Sequence, residues 1–352
     1  MISPVPACNV AVVIVNYRTS ELAASCLESL RRERAAMPGL RVIVVDGGSA
    51  DGSVERLLEV ASRADFSDWV EILPLEINGG FGWANNQAIV RLLTAPGPPD
   101  FIHLLNPDTV VEAGAVSALA ENLMAHPGAA AAGSQLLEDD GTPAGSAFRR
   151  LTVLAGFSRG ARTGLIDRIF RVRPIAFPVL SESIEVDWVT GASVMLRAEA
   201  LREVGLFDDG FFLYHEEIEL MWRMRKAGWK IRHEPRSRVR HLGGAATGVH
   251  SRRTSLSPVR RRPAYWYQSR RRLFALTQGR AAAALANLCW IGGHAIAVLR
   301  RALGAGRKSQ PTAHELFDHV RHGFPWRREV RSPFTAWDSP RTETPAWMNE
   351  RD

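Results

Sequence analysis

The segment His215-Glu216-Glu217-Ile218-Glu219 places three carboxylates within four positions, with Arg223 and Arg225 downstream. Carboxylates held close together raise one another's pKa and neighbouring arginines lower it, so such a cluster can hold a general base beside a structural anion. A helix turns about 100° per residue, so Glu217 and Glu219 cannot share a face and must have different tasks. The same residues also suit a plain helix start, where the dipole favours acids and arginines four positions on pair with them. A second polar knot is Asn106-Pro107-Asp108. Its carboxylate and amide offer the oxygen donors that a hard divalent cation takes when it bridges to a diphosphate, and an Asx-Pro turn closing a strand has the same composition. His241, ahead of Gly243-Gly244, offers an imidazole. Asp46, followed by Gly47-Gly48-Ser49, either accepts hydrogen bonds from a base or ribose or closes a turn.

These residues sit where strands should finish. Apolar runs at 10–15, 42–45 and 101–105 end at Asn16, Asp46 and Asn106-Pro107-Asp108, and helical patterns fill the intervals. That alternation predicts βαβ units and a parallel sheet. Ligands of open α/β sheets lie beyond the carboxyl ends of the strands, where these polar residues fall. A third strand is expected at 71–75, and Asn78-Gly79-Gly80-Phe81-Gly82 opens another helix, either as a tight turn or as a place for close backbone approach. After Gly133 the pattern loosens into a polar stretch, 138–150, and apolar order returns at 184–196. A turn at 205–208 then leads to a helix beginning near Glu216.

The hydrophobic share of 46% and the charged share of 23% suit one elaborated, soluble α/β domain plus a tail. Cys8, Cys26 and Cys289 lie far apart with no CxxC pair, which excludes a disulfide framework and a zinc cluster and fits a reducing, cytoplasmic setting. The first residues show no basic stretch before an apolar one, so no secretory signal is expected. The net charge of +7 is unevenly spread, because residues 221–301 carry 19 Lys and Arg against one acid, Glu234. A basic surface seeks phosphate, whether on a nucleotide, a nucleic acid or an anionic membrane. Residues 260–272 interleave arginines with aromatics as single-strand binders do, but no nucleic-acid-binding signature accompanies them. The alternative is a packed helix whose basic face meets lipid phosphate. The 19 uncharged residues 281–299 approach the roughly 20 needed to span a bilayer. Asn287, Gly292, Gly293 and His294 interrupt them, so a buried or interfacial helix is expected.

Taken in order, VVIVNYR, VVDGGSADGS, NGGFGWANNQAI, LLNPDT, VDWVTGASVMLRAEALREVGLFDDGFFLYHEEIEL, RKAGW and RHLGG resemble the family 2 glycosyltransferases, especially their rhamnosyltransferase-like branch, over residues 9–250 and more weakly over 265–274. The resemblance implies a GT-A fold in residues 1–250, with a donor half at about 9–135 and an acceptor half at about 136–250. A basic, helical extension and polar tail would follow at 251–352. It implies an inverting, Mg- or Mn-dependent transfer of rhamnose or another hexose from a nucleotide-diphospho-sugar to a hydroxyl of a glycan or lipid-linked acceptor. Such chemistry belongs to polysaccharide or cell-envelope biosynthesis, in the cytoplasm or at the inner face of the membrane.

Position by position, Asp46 resembles the contact to the nucleotide base and Asn16 lies in the loop bordering it. Gly80, Phe81, Asn85 and Asn86 match the segment lining the diphosphate and sugar. Asp108 matches the last acid of the metal-binding DxD motif, Asn106 stands where many members have the first, and His241 matches a histidine that completes the metal site. Trp188, Gly191 and Ala192, with Glu216, correspond to the acceptor side. Glu217 holds the catalytic-base position with one methylene more than the usual Asp. A sugar nucleotidylyltransferase needs a Gly-rich, basic loop after the first strand, where this chain has Asn16-Tyr17-Arg18-Thr19 and no glycine before Gly39. A dehydrogenase would need G-x-G-x-x-G there. A non-catalytic nucleic-acid-binding protein would bind with steep salt dependence and turn nothing over.

Overall fold

The computed structural model describes residues 8–242, 261–304, 314–326, 328–332, 335–338 and 343–349. Gly243, Gly244, Arg260 and the expected boundary at 250 lie outside the described residues. The expected alternation is present: β1 (Val10–Asn16), α1 (Ser20–Ala36), β2 (Arg41–Asp46), α2 (Ser53–Ser62), β3 (Val70–Pro74), α3 (Phe81–Thr94) and β4 (Phe101–Leu105). Next come β5 (Thr109–Val111), α4 (Ala115–Ala125), β6 (Ala129–Leu137), β7 (Ala147–Phe148), α5 (Val153–Ala161) and α6 (Gly164–Ile169). They are followed by β8 (Ile184–Val186), β9 (Trp188–Val189), β10 (Ser193–Arg197), α7 (Ala198–Val204), α8 (Glu216–Lys226) and β11 (Lys230–His241). Four helices complete the described chain: α9 (Ala264–Gln278), α10 (Arg280–Ala302), α11 (Glu315–His322) and α12 (Ala346–Asn349).

A nine-stranded sheet runs β3-β2-β1-β4-β10-β6-β11-β5, with β8 on β11. β1, β2, β3 and β4 are mutually parallel, and β10 inserts antiparallel between β4 and β6. β1 is apolar on both faces because helices cover both. Successive side chains point to opposite layers: Val12 and Ile14 pack with Leu27 and Leu30 of α1, while Val13 packs with Ile89 and Leu92 of α3. Register then sets the site. Asn16 pairs with Asp46 at the carboxyl end of β1–β2, Ile14 pairs with Leu105, and His241 pairs with Thr109, which brings the end of β11 beside Asp108.

The stretch after Gly133 is more ordered than its pattern suggests. β6 continues buried to Leu137, and α5 starts at a Thr152 cap whose hydroxyl accepts from the Ala155 N–H at 3.2 Å. α5 packs on α10 through small residues. A Cβ on Gly160 would lie 2.3 Å from the Trp290 carbonyl, and one on Gly293 would lie 2.2 Å from that of Phe157. Two helices that meet through glycine leave little large-residue periodicity to read. The opposite face of α10 exposes Leu285, Leu288, Val298 and Leu299. Among the described residues α10 is the one helix long and apolar enough to cross a membrane, with mean hydropathy 1.6.

The basic face expected across residues 260–272 is not a bare one. Arg261 Nε donates to Asp318 at 2.9 Å, Arg262 pairs with Glu315 at 3.3 Å, Arg271 with Glu329 at 2.8 Å, and buried Arg272 with Asp208 at 2.9 Å. Upstream, Arg236 and Arg238 pair with Glu234 and Glu112. Acids distant in sequence therefore pair with Arg261, Arg262, Arg271 and Arg272, so the expected open basic face is largely matched by carboxylates.

Candidate functional site

Beyond the carboxyl ends of β1, β2 and β4 lies a cavity of about 520 Å³. Val15, Tyr17, Gly47, Asn78, Gly80, Phe81, Asn106, Asp108, Gly191, Ala192, Glu216, Glu217 and His241 line it. Gly80 must be glycine: its φ is +91°, and a Cβ there would lie 2.0 Å from the Phe212 carbonyl oxygen. That close approach lets the Phe81 N–H donate to Phe212 O at 3.1 Å, which sets the start of α3 against the segment entering α8.

Asn16 and Asp46 stand behind the wall and not in it. Asn16 Nδ2 donates to Asp46 at 2.6 Å, and Asp46 accepts from the Ser49 N–H at 2.9 Å and from its hydroxyl at 2.7 Å. Both residues are fully buried, so they brace the loops that carry Tyr17 and Gly47 to the cavity. Asn86 is likewise turned away: it donates to Phe207 O at 2.8 Å and accepts from Phe207 N–H at 3.0 Å. Asn85 donates to Phe81 O at 2.9 Å. Neither lines the cavity: Asn86 ties α3 to the segment at Phe207, and Asn85 caps back onto the first turn of α3 itself.

Asp108 and His241 do converge. His241 Nε2 is 3.2 Å from Asp108 Oδ1 and 3.5 Å from the Asn106 amide. Among the described residues no cluster of three His, Cys, Asp or Glu forms here or elsewhere. The two donors nevertheless fit Mg²⁺ or Mn²⁺, which take few protein ligands and complete their shell with substrate phosphates and water.

Two non-glycine residues precede α8 in left-handed backbone, Tyr214 at φ 71° and His215 at φ 73°. Such conformations are uncommon and cluster at active sites. Here they turn the first residues of α8 toward the cavity, braced from α9 by Tyr265, stacked on Tyr214, and Trp266, packed on His215. The three acids then diverge as helix geometry requires. Glu219 is fully buried against Arg223 at 2.9 Å and Arg331 at 2.6 Å. Glu216 is buried, and burial, then the charge of Glu217, raises its pKa well above the carboxylate range. Glu217 reaches the cavity, with burial pushing it up to about 7 against N–H groups of the helix start, which pull it down. Glu219→Gln should therefore destabilise the fold by about 3–5 kcal/mol, as expected when one partner of a buried ion pair is removed, and leave kcat of the folded fraction near normal. Denaturant unfolding beside active-fraction kinetics would check this.

A second cavity, about 830 Å³, adjoins the first and is lined by Leu151, Arg159, Arg168, Arg173, Trp188, His215, Ile218 and Trp266 among others. Glu217 and Tyr214 line both cavities. Trp188 belongs to the second cavity, stacked on Phe148 at 4.1 Å, whereas Gly191 and Ala192 belong to the first. The sequence reading missed Tyr214, Tyr265 and Trp266. It also missed the C-terminal tail, where Trp347 Nε1 donates to Gly79 O at 2.8 Å and its ring meets Phe212. The FFLYH run beside the acids was the available signal for Tyr214.

Comparison with known proteins accords with this arrangement. The profile of the glycosyltransferase-like family 2 matches residues 6–284. An N-acetylglucosaminyl-diphospho-decaprenol L-rhamnosyltransferase of Mycobacterium tuberculosis is 28% identical over 218 residues, which are 59% of this chain and 68% of that protein. A pre-mycofactocin glycosyltransferase of the same organism is 31% identical over 60% of this chain and 39% of its own length. A rhamnosyltransferase of Escherichia coli strain K12 is 24% identical over 44% of this chain and 58% of that one. In fold, a mannosyltransferase of Pyrobaculum calidifontis, solved with GDP-Man and Mn²⁺, superposes with a TM-score of 0.51 at 15% identity, covering 90% of this chain and 81% of that one. A mostly parallel sheet of GT-A type, a polar cavity at its strand ends and a profile match over most of the chain lead to one conclusion: this protein belongs to the glycosyltransferase-like family 2.

Proposed function

We propose that this chain is an inverting, metal-dependent glycosyltransferase that moves a hexose, with rhamnose the first to test, from a nucleotide-diphospho-sugar onto a hydroxyl of a lipid-linked or glycan acceptor. The observation that carries this reading is the placement of Glu217 at the junction of two cavities. A base that accepts a proton from one substrate while that substrate attacks another must touch both. The cavity beside Asp108 takes the donor, and the one beyond Glu217 takes the acceptor. Residues of both 9–135 and 136–250 wall the donor cavity, His241 and Gly191 among the latter, whereas the acceptor cavity is walled by residues after 147, and the residues after 251 contribute Tyr265 and Trp266.

Asp108 and His241 would hold the divalent ion, which when bound offsets the negative charge of the leaving diphosphate. Asn106 orients that pair. Gly80 and Phe81 bring backbone close to the donor, and Gly191 leaves space beside Glu217, where a built Cβ would sit 3.7 Å from the Glu217 Cβ. Glu217 takes the acceptor's hydroxyl proton as its oxygen bonds to the anomeric carbon and the carbon–oxygen bond to the diphosphate breaks. Inversion follows from this single displacement. A pKa of about 7 suits that work, since a base is most effective when its pKa lies near the working pH. Thermal unfolding against a panel of nucleotide-diphospho-sugars with Mn²⁺ or Mg²⁺ tests the reading. Stabilisation by one sugar-nucleotide with metal is expected, and none by any member would sink it.

The same reading places the enzyme peripherally at a membrane, through apolar and not basic residues. Leu285, Leu288 and Leu299 on α10, Leu165 and Ile169 on α6, and Phe317 on α11 are all exposed. Burying such side chains in an interface is worth about 1.5–3 kcal/mol each when complete. Leu288→Asp with Leu299→Asp should abolish sedimentation with phosphatidylglycerol-containing vesicles at moderate salt while leaving donor binding intact. Unchanged sedimentation would remove the apolar face from the account.

A further inference from the structure

The second cavity has an unusual charge balance. Arg159 at the end of α5, Arg168 in α6 and Arg173 in the segment that follows all line it, and none forms an ion pair among the described residues. This contrasts with the arginines of α9, most of which are matched to acids. Behind the wall, Arg270 is buried, donates only to the Ala286 carbonyl at 3.3 Å, and has no described carboxylate partner. His215 also lines the cavity, and its Nε2 is buried with no partner among the described residues. Of the two carboxylates that line it, Asp167 accepts a hydrogen bond from the Ser158 hydroxyl, and Glu217 sits where this cavity meets the first. Because Ser158 and Asp167 each directly precede an arginine, that bond fixes the two helices so that Arg159 and Arg168 share one cavity. The remaining lining is apolar and aromatic, with Leu151, Ile218, Trp188 and Trp266.

Arg159, Arg168 and Arg173 are solvent-accessible, converge on one cavity and carry no ion pair among the described residues, so an incoming anion need not displace a carboxylate, and guanidinium groups suit phosphate oxygens through paired, charge-assisted hydrogen bonds. We propose that this cavity is a diphosphate subsite for an isoprenoid-linked acceptor, with Arg159, Arg168 and Arg173 holding the two phosphates and the Leu151–Trp266 side taking the first isoprene units. The proposal rests on the acceptor class named above and adds the residues that select it. A diphosphate gripped here positions the sugar attached to it toward Glu217, which lines the same cavity. The donor's diphosphate is held in the other cavity, so the two anions do not compete.

The test titrates the full-length protein with farnesyl diphosphate in EDTA and reads the fluorescence of Trp188 and Trp266, with farnesol and inorganic pyrophosphate as comparison probes. The wild type should bind farnesyl diphosphate at least ~10-fold more tightly than farnesol, because the charge-assisted bonds are lost with the phosphates. The combined substitutions Arg159→Gln, Arg168→Gln and Arg173→Gln should weaken farnesyl diphosphate by ~10-fold or more and leave farnesol unchanged. Thermal stabilisation by nucleotide-sugar with Mn²⁺ should persist in that variant. If the triple variant does not fold, Arg173→Gln alone, outside any helix, should still weaken farnesyl diphosphate several-fold. Equal binding of farnesol and farnesyl diphosphate by the wild type, or unchanged binding by the folded variants, overturns the subsite. Tighter binding of inorganic pyrophosphate than of farnesyl diphosphate overturns the isoprenoid part. Failure of the glycosyltransfer reading would appear elsewhere, as the absence of any nucleotide-sugar response.

Discussion

Glu217→Gln is expected to lower turnover by roughly 10² to 10⁴-fold while donor affinity stays near that of the wild type. Glutamine keeps the size of the side chain and its reach into both cavities, but it cannot accept a proton, so the loss should fall on kcat and spare nucleotide-sugar binding. The pH profile gives a second readout. With its carboxyl pushed up to about 7, the wild type should lose activity as pH falls through 7, close to tenfold per unit below it, because only the ionised form is a base. Stability should move the other way. A carboxyl whose folded pKa is raised binds its proton more tightly in the folded state, so its stabilising contribution is complete below about 4.5, the ordinary value, and is lost as pH rises through about 7. Glu217→Gln carries no charge to bury, and at pH 8 it should be as stable as the wild type or more so. That combination, a dead enzyme that melts no lower, separates a catalytic carboxylate from one that merely starts a helix. Glu217→Asp should be impaired and not inactive, since it retracts the carboxylate by about an ångström. Near-normal turnover by a folded, donor-binding Glu217→Gln would remove Glu217 from the mechanism.

The strand ends were legible in the sequence for a physical reason: strands buried on both faces are unbroken apolar runs, so their first polar residue marks the crevice. Asn106 and Asp108 were placed that way, Glu217 by its acid cluster at a helix start and the family resemblance, and His241 joined Asp108 because β11 pairs with β5 in the register His241↔Thr109. What local pattern could not reveal was where a polar side chain turns. Asp46 spends its carboxylate on Ser49 three residues on, and Asn86 spends its amide on Phe207, 121 residues away. Charge was the least local property of all. The arginines of 261–272 look like an open basic face until Asp318 and Glu329, 57 and 58 residues downstream, fold back onto Arg261 and Arg271. The unmatched cations lie in residues 159–173, within a stretch where α5 and α6 show little large-residue periodicity because α5 packs on α10 through glycines.

Asp108→Asn should abolish both transfer and the metal-dependent part of donor binding, with activity falling at least ~10³-fold if the ion supplies several kcal/mol of charge stabilisation to the leaving diphosphate. The expectation is severe because this site has little in reserve. Among the described residues Asp108 is the sole carboxylate of its motif, Asn106 is already an amide, and His241 is the only imidazole beside it. A site with two acids can lose one and keep a weakened cation, whereas this one would keep two neutral donors. The substitution is nearly isosteric, and the Asp108 carbonyl would still accept the backbone bond from Leu242 at 2.9 Å, so the fold should survive and the effect should read on metal. Isothermal titration of donor with and without Mn²⁺ distinguishes the cases: the wild type should bind more tightly with metal, and Asp108→Asn should bind with equal, weak affinity under both conditions. His241→Ala should fall between them, because it removes one donor and leaves the carboxylate charge in place. Full activity of the wild type in EDTA, or metal-enhanced donor binding retained by Asp108→Asn, would show that this end of the sheet holds the donor without an ion.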